Sequence, residues 1–226
     1  MSTVGEIKAL AKKLHLYNIA RGDVDIMNAT QRNLDFLKSV LQQEQDLRDS
    51  AQLVRREHES RLPRKEFLPS KLNSGIAWQI EHLEKLEWID AEQNLFIIGK
   101  CGTGKTSLAS HLGRKAIAAG IKVSYCTIDD FFYTLEAKNS VKKQMQRYKN
   151  WLASSLIIID DMMYAGLSDE DLMDFYHTIM LLNETRSIVI ITNRELSAWQ
   201  QSGNDRYLMQ TLIERLSVNS QQIRLT

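Results

Sequence analysis

Cysteine is scarce. Only Cys101 and Cys126 occur in 226 residues, too few for a disulfide framework, and the expectation is a protein of the reducing cytoplasm. Long apolar runs are absent as well: the N-terminal MSTVGEIKALAKKL is interrupted by charge, and nothing approaches the ~20 consecutive apolar residues of a spanning helix. A secretory signal and membrane residence are therefore not expected, and the chain reads as soluble and cytoplasmic. Nor is there an excess of one charge. Lys and Arg number 29 and Asp and Glu 28, so net charge does not mark a nucleic-acid binder as a pI above ~9 would, and any basic surface must be local. The histidines, His15, His58, His82, His111 and His177, are scattered without metal-ligand spacing. Proline is nearly missing: Pro63 and Pro69 sit together in RLPRKEFLPSKLNSG and interrupt helix-compatible sequence. That pair places a domain boundary, with a helical N-terminal domain at 1–68 and a core at 69–226.

The N-terminal region is rich in Leu, Gln, Glu and Arg, with Ile7, Leu10 and Leu14, then Leu34, Leu37 and Leu41, at helical spacing. Beyond the prolines the pattern changes. The runs NLFIIG, IKVSYCTI, SLIIIDD and SIVIITN are separated by segments of helical length, as in a parallel sheet with crossover helices. They are apolar at consecutive positions, as strands covered on both faces should be. A helix is expected over 168–184, with Ser168 as N-cap, Asp171 completing a capping box, Asp169 and Glu170 at the positive dipole end, and Leu172, Phe175, Tyr176 and Ile179 on one apolar face.

Between the first run and the helical SLASHLGRKAIAAG stands G-x-x-x-x-G-K-[ST]: Gly99, Lys100, Cys101, Gly102, Thr103, Gly104, Lys105 and Thr106, followed by Ser107. A strand–loop–helix context is what this phosphate-binding motif requires. Backbone amides at the helix start aim at an anion, glycines allow the backbone to approach it, Lys105 reaches the β- and γ-phosphates of ATP, and Thr106 ligates Mg²⁺. Cys101 occupies a variable position of the loop. Such a loop calls for a buried strand ending in Asp beside it. SSLIIIDDMM supplies Asp160 as the metal-side carboxylate and Asp161 as the group that orients the attacking water. Asn193 closes the last run, where it either positions water against the γ-phosphate or simply ends a strand. In LMQTLIERLSV, Arg215 interrupts apolar neighbours, as a solvated helix arginine or as one that meets phosphate in a neighbouring subunit.

Taken in order, LFIIGKCGTGKTSLA, GIKVSYCTIDDFFYTL, LIIIDDMMYAGLSDED, SIVIITNRELSAW and LIERL resemble the IstB-like ATPases, AAA+ helpers of insertion-sequence transposition related to the helicase loader DnaC. The resemblance spans about residues 30 to 225. It implies an AAA+ core with a five-stranded parallel sheet of order 5-1-4-3-2 flanked by helices. It also implies Walker A at Gly99 to Thr106, Walker B at Asp160 and Asp161, sensor 1 at Asn193 and a trans-acting arginine finger at Arg215. Two departures stand out. Many AAA+ proteins carry Glu at the position of Asp161, so hydrolysis is expected to be slow. The family's second sensor arginine has no good counterpart, Arg224 being a poor substitute.

For DNA, KNSVKKQMQRYK carries Lys138, Lys142, Lys143, Arg147 and Lys149 with no acidic residue. As a helix it would put Val141, Met145, Tyr148 and Leu152 on one face and the cations on its flanks, either to track phosphates or as a solvated surface. The resemblance favours DNA. A second cluster, Arg55, Arg56, Arg61 and Arg64 with Lys65, lies near the boundary, diluted by Glu57 and Glu59. The expected protein binds ATP and Mg²⁺, assembles as a homo-oligomer on duplex DNA through backbone contacts, and serves a transposase. A loader of a replicative helicase, a monomeric P-loop small-molecule kinase and an ATP-binding switch without hydrolysis are the rivals.

Overall fold

All four apolar runs form strands. In the computed structural model, which describes residues 2–68, 74–162, 169–196 and 206–225, they are β1 (Asn94–Gly99), β2 (Val123–Thr127), β3 (Leu156–Asp160) and β4 (Ser187–Thr192), joined by a fifth, β5 (Ser220–Leu225). The sheet is parallel throughout, in the order β2-β3-β4-β1-β5, as the resemblance implied. β3 and β4 are buried at every position because helices cover both faces. One face packs Phe96, Ile98, Cys126, Ile157, Ile159, Ile188 and Ile190 against α7 (Ile128–Ala137), α8 (Lys142–Leu152), α9 (Asp169–Asn183) and α10 (Arg206–Ser217). The other packs Leu95, Ile97, Leu156, Ile158, Val189 and Ile191 against α4 (Ser74–Leu83), α5 (Glu87–Asp90) and α6 (Lys105–Ala118). Successive strand residues point to opposite faces, so each strand feeds both cores. β5, with its polar SQQIRL, carries no apolar run and escapes a search for one.

Asn94 at the start of β1 is 2 % exposed, yet fully used. Its amide donates to Asn183 Oδ1 and Leu216 O and accepts from the Ile188 amide, tying β1 to α9, α10 and β4. A buried amide with every partner in place fixes register where apolar contact alone would not.

Contacts divide the chain into two compact units, Met1–Arg55 and Arg56–Thr226. The first contains α1 (Thr3–Lys13), α2 (Tyr17–Arg21) and most of α3 (Gln31–Ser60), with Ile7, Leu10, Leu14, Leu34 and Leu41 in its core and Leu37 packed against it. The division falls inside α3, upstream of the proline pair that marks the boundary in the sequence. Residues after Arg55 already belong to the larger unit: Arg56 donates to Gly120 O, and Leu62 is buried in the core around α6.

α9 lies where a helix is expected, with Leu172, Phe175 and Ile179 buried and Tyr176 partly so. The expected N-cap Ser168 and the side chains of Asp169 and Glu170 fall outside the described residues. α8 differs from expectation in which face it buries. Gln144, Arg147 and Trp151 turn inward, Tyr148 and Leu152 pack at the margin, and Val141 and Met145 are exposed. Trp151 sets the rotation: its ring stacks on Phe131 at 4.8 Å, and the face carrying the largest aromatic wins.

Candidate nucleotide site and basic cavity

The glycine loop begins where β1 ends. A Cβ on Gly99 would lie 2.3 Å from the carbonyl oxygen of Leu225 in β5, so only glycine fits. Gly102 and Gly104 take φ of 82° and 90°, the left-handed region that costs L side chains energy. Gly104 is also the N-cap of α6 and offers no side-chain cap. The first amides of α6 therefore stay available to an anion rather than being satisfied by the loop. Lys105 Nζ donates to Gly99 O at 2.7 Å and Lys100 O at 2.8 Å, folded over the loop it would leave to meet phosphate.

Beside it, the Thr106 hydroxyl donates to Asp160 Oδ2 at 2.8 Å. Asp160 is 6 % exposed and receives two further bonds, from the Tyr125 hydroxyl to Oδ2 at 2.7 Å and from the Asp161 amide to Oδ1 at 2.7 Å. Register explains Tyr125: it stands beside Ile158, and Asp160, two residues further, shares that face. Burial and the neighbouring carboxylate both push the Tyr125 phenol far above its ordinary range, so it remains a protonated donor. Asp161 is exposed at φ 59°, a conformation Asp tolerates better than most residues. Directly after it, the Met162 amide still donates to Ile191 O in β4.

Asn193 follows β4. Thr192 holds that corner, its hydroxyl donating to Met162 O and accepting from the Arg194 amide. Asn193 shares a cavity of about 370 Å³ with Gly99 and Lys100 of the loop, and with Glu195 and Arg224. Arg224 is paired with Glu195 at 3.0 Å, a contact invisible in the sequence. Arg215 sits exposed in the last turn of α10. Cys101 is exposed. Cys126 is buried, and burial pushes its thiol up to about 12, which leaves it inert.

A hydroxyl and a buried carboxylate 2.8 Å apart at a phosphate loop fit Mg²⁺, which takes one or two protein oxygens and completes its octahedron with phosphate and water. Among the described residues no group of three or more His, Cys, Asp or Glu side chains could form a denser metal site.

A match to the family model for IstB-like ATP binding proteins runs from residue 9 to 226. This chain belongs to the IstB-like ATP-binding family. An ATP-binding protein of an IS21-like insertion sequence in Bacteroides fragilis is 27 % identical over 97 % of this chain and 87 % of its own length. The corresponding IS21 protein of Pseudomonas aeruginosa is 26 % identical over 84 % and 74 %. The same fold occurs in a DnaC helicase loader (TM-score 0.54, 16 % identity, 76 % of this chain and 99 % of that one). It occurs too in AMPPCP-bound DnaA from Aquifex aeolicus (TM-score 0.58, 19 % identity, 74 % and 51 %). The IstB-like chain thus carries the AAA+ P-loop fold.

The expected DNA-contacting residues separate into groups. Arg147 is largely committed: the two terminal nitrogens of its guanidinium make a two-pronged ion pair with Asp130, at 2.7 and 3.1 Å, and its side chain is 7 % exposed, which leaves only Nε unpaired among the described residues. That bond holds the Asp130 carboxyl below its usual range and ties α8 to α7. An arginine within an unbroken basic run gives no sign of a partner seventeen residues back. Lys138 lies over the Tyr148 ring at 4.9 Å, and Arg56 is engaged with Gly120. Lys142, Lys143, Lys149, Arg61 and Arg64 are exposed, while Arg55 is the last residue of the N-terminal unit. The two basic clusters, far apart in sequence, partly converge. Arg61, Lys142, Lys143 and Arg147 line one cavity of about 500 Å³ with Tyr125 and Trp151.

No helix among the described residues is long and apolar enough to cross a membrane.

Proposed function

We propose that this IstB-like protein is a cytoplasmic, Mg²⁺-dependent ATPase that assembles on duplex DNA as a homo-oligomer and, so assembled, helps a transposase engage its target. The Thr106–Asp160 hydrogen bond at the foot of the glycine loop carries the ATPase reading. It brings a hydroxyl from α6 and a carboxylate from β3 to one point, where a nucleotide-bound cation requires both. Bound there, Mg²⁺ supplies charge neutralisation on the β- and γ-phosphates. Lys105 leaves the loop carbonyls for the same oxygens, while the amides at the start of α6 hold the phosphate chain. Asp161 orients the attacking water and Asn193 fixes its approach. Arg215, exposed on α10, acts on the γ-phosphate held by an adjoining copy, which links assembly to nucleotide state.

The names of the Bacteroides fragilis and Pseudomonas aeruginosa relatives, both of insertion sequences, support transposition over helicase loading. The convergence of Arg61 with Lys142 and Lys143 supports contact with phosphate backbone rather than with bases. The deciding experiment is sedimentation with a non-hydrolysable ATP analogue, with and without random-sequence duplex, followed by capture of the transposase or a replicative helicase. Assembly that needs both ligands supports the reading, and a protein that stays monomeric with both present refutes it. Phosphate transfer to a small acceptor would instead mark a kinase.

A further inference from the structure

The cavity on α8 and the metal-side carboxylate are joined by one side chain. β2 is an edge strand. Against it, Ser60 and Arg61 at the end of α3 and Lys142, Lys143, Gln146 and Arg147 of α8 enclose about 500 Å³, the size range of sites for small ligands or single nucleotide units. Arg61, Lys142 and Lys143 are exposed cations of its rim. In the wall, Arg147 Nε is buried and has no hydrogen-bond partner among the described residues, a donor left over after the ion pair with Asp130. An unpaired buried donor is costly, and an anionic oxygen would remove that cost. Tyr125 is part of the same wall, half-buried, and its hydroxyl reaches through to Asp160 Oδ2 at 2.7 Å. That oxygen also accepts from Thr106.

We propose that this cavity seats a phosphodiester of duplex DNA and that Tyr125 is the positioning residue that carries its occupancy to Asp160. The inference rests on the DNA reading above and adds a site and a route. A phosphate drawn in by Arg61, Lys142 and Lys143 presses on the wall that holds the Tyr125 ring. Because the phenol shares an acceptor with Thr106, any shift of the ring changes how Asp160 is held beside the nucleotide loop. A purely structural tyrosine would steady Asp160 equally with and without DNA.

The test measures affinity of the full chain for a non-hydrolysable ATP analogue with Mg²⁺, in the presence and absence of a random-sequence duplex, for the parent and for Tyr125→Phe. Coupling between two sites typically amounts to ~5–150-fold and is reciprocal, so duplex affinity with and without nucleotide must shift by the same factor. The parent is expected to show such a ratio and Tyr125→Phe to bring it to within about twofold of one, with duplex binding itself retained. In parallel, Lys142→Ala/Lys143→Ala is expected to weaken duplex binding and to lower the slope of log affinity against log salt by ~2. An unchanged ratio in Tyr125→Phe, or a parental ratio of one, overturns the link while the DNA reading stands. An unchanged affinity and salt slope in the lysine variant overturns the cavity as the phosphate seat. A parent without duplex affinity removes both this inference and the DNA reading.

Discussion

Thr106 on α6 and Asp160 on β3 meet through a 2.8 Å hydrogen bond, and the proposed nucleotide chemistry turns on that pair. Asp160→Asn keeps the size of the side chain and removes its charge. Mg²⁺-dependent turnover is expected to fall by roughly 10²-fold or more, with nucleotide binding in EDTA nearly unchanged. Parallel turnover and binding titrations against Mg²⁺ would show it, and an unaltered Mg²⁺ dependence would be incompatible with the assigned site.

On the proposed reading, Lys105 gives up two loop carbonyls for phosphate oxygens when nucleotide binds. Charge-assisted hydrogen bonds contribute about 1.5–3 kcal/mol each, so Lys105→Ala should weaken ATP binding by ~10–100-fold. Thermal stability without nucleotide should change little, because the carbonyls released at the loop can turn to water. Calorimetry with and without ATP separates the two effects.

Gly99 is a packing constraint as much as a motif residue. In Gly99→Ala the new methyl meets the Leu225 carbonyl at 2.3 Å, and β1 and β5 must part. A loss of about 2–4 kcal/mol is expected, read from urea unfolding. Gly102→Ala, with no atom within 4 Å of the added methyl, should cost less, its penalty coming from φ alone.

Asp130 gives a pH signature. Its carboxyl is held low by Arg147, so the folded-state value lies below the unfolded-state one of about 3.9. The pair's contribution to stability is therefore complete above that unfolded value and is lost as the pH falls through the folded one. The urea-midpoint difference between the parent and Asp130→Asn should be full at neutral pH and shrink in acid. A difference that grows in acid would contradict the assignment.

Arg215→Ala should leave ATP binding intact and lower turnover in the assembled state by ~10³-fold. Mixing this variant with Lys105→Ala should restore part of the turnover, since in the proposed assembly each copy would supply what its neighbour lacks. No recovery on mixing would argue against a shared site.

Motif and order were legible in the chain. The glycine loop, Asp160 and the four apolar runs announce themselves because a parallel sheet with both faces covered needs consecutive apolar residues, and the phosphate loop needs its spacing. β5 was not, for an edge strand that faces less core can be polar. The fate of Arg147 was hidden for a different reason. A basic run looks alike whether its cations meet solvent or a carboxylate, and only the α7–α8 packing decides. Tyr125 likewise acquires its partner from strand register, which pairs Thr127 with Asp160 and is set by the whole sheet rather than by any local signal.

The root of the glycine loop leans on β5, with Gly99 beside Leu225. During synthesis the loop leaves the ribosome more than a hundred residues before the strand that braces it. Until residues 220–225 emerge, β1 has one flank bare and its turn unsupported. A nascent chain can therefore complete this brace only once β5 has emerged. A copy that lacks β5 lacks the carbonyl against which the root of the loop is seated.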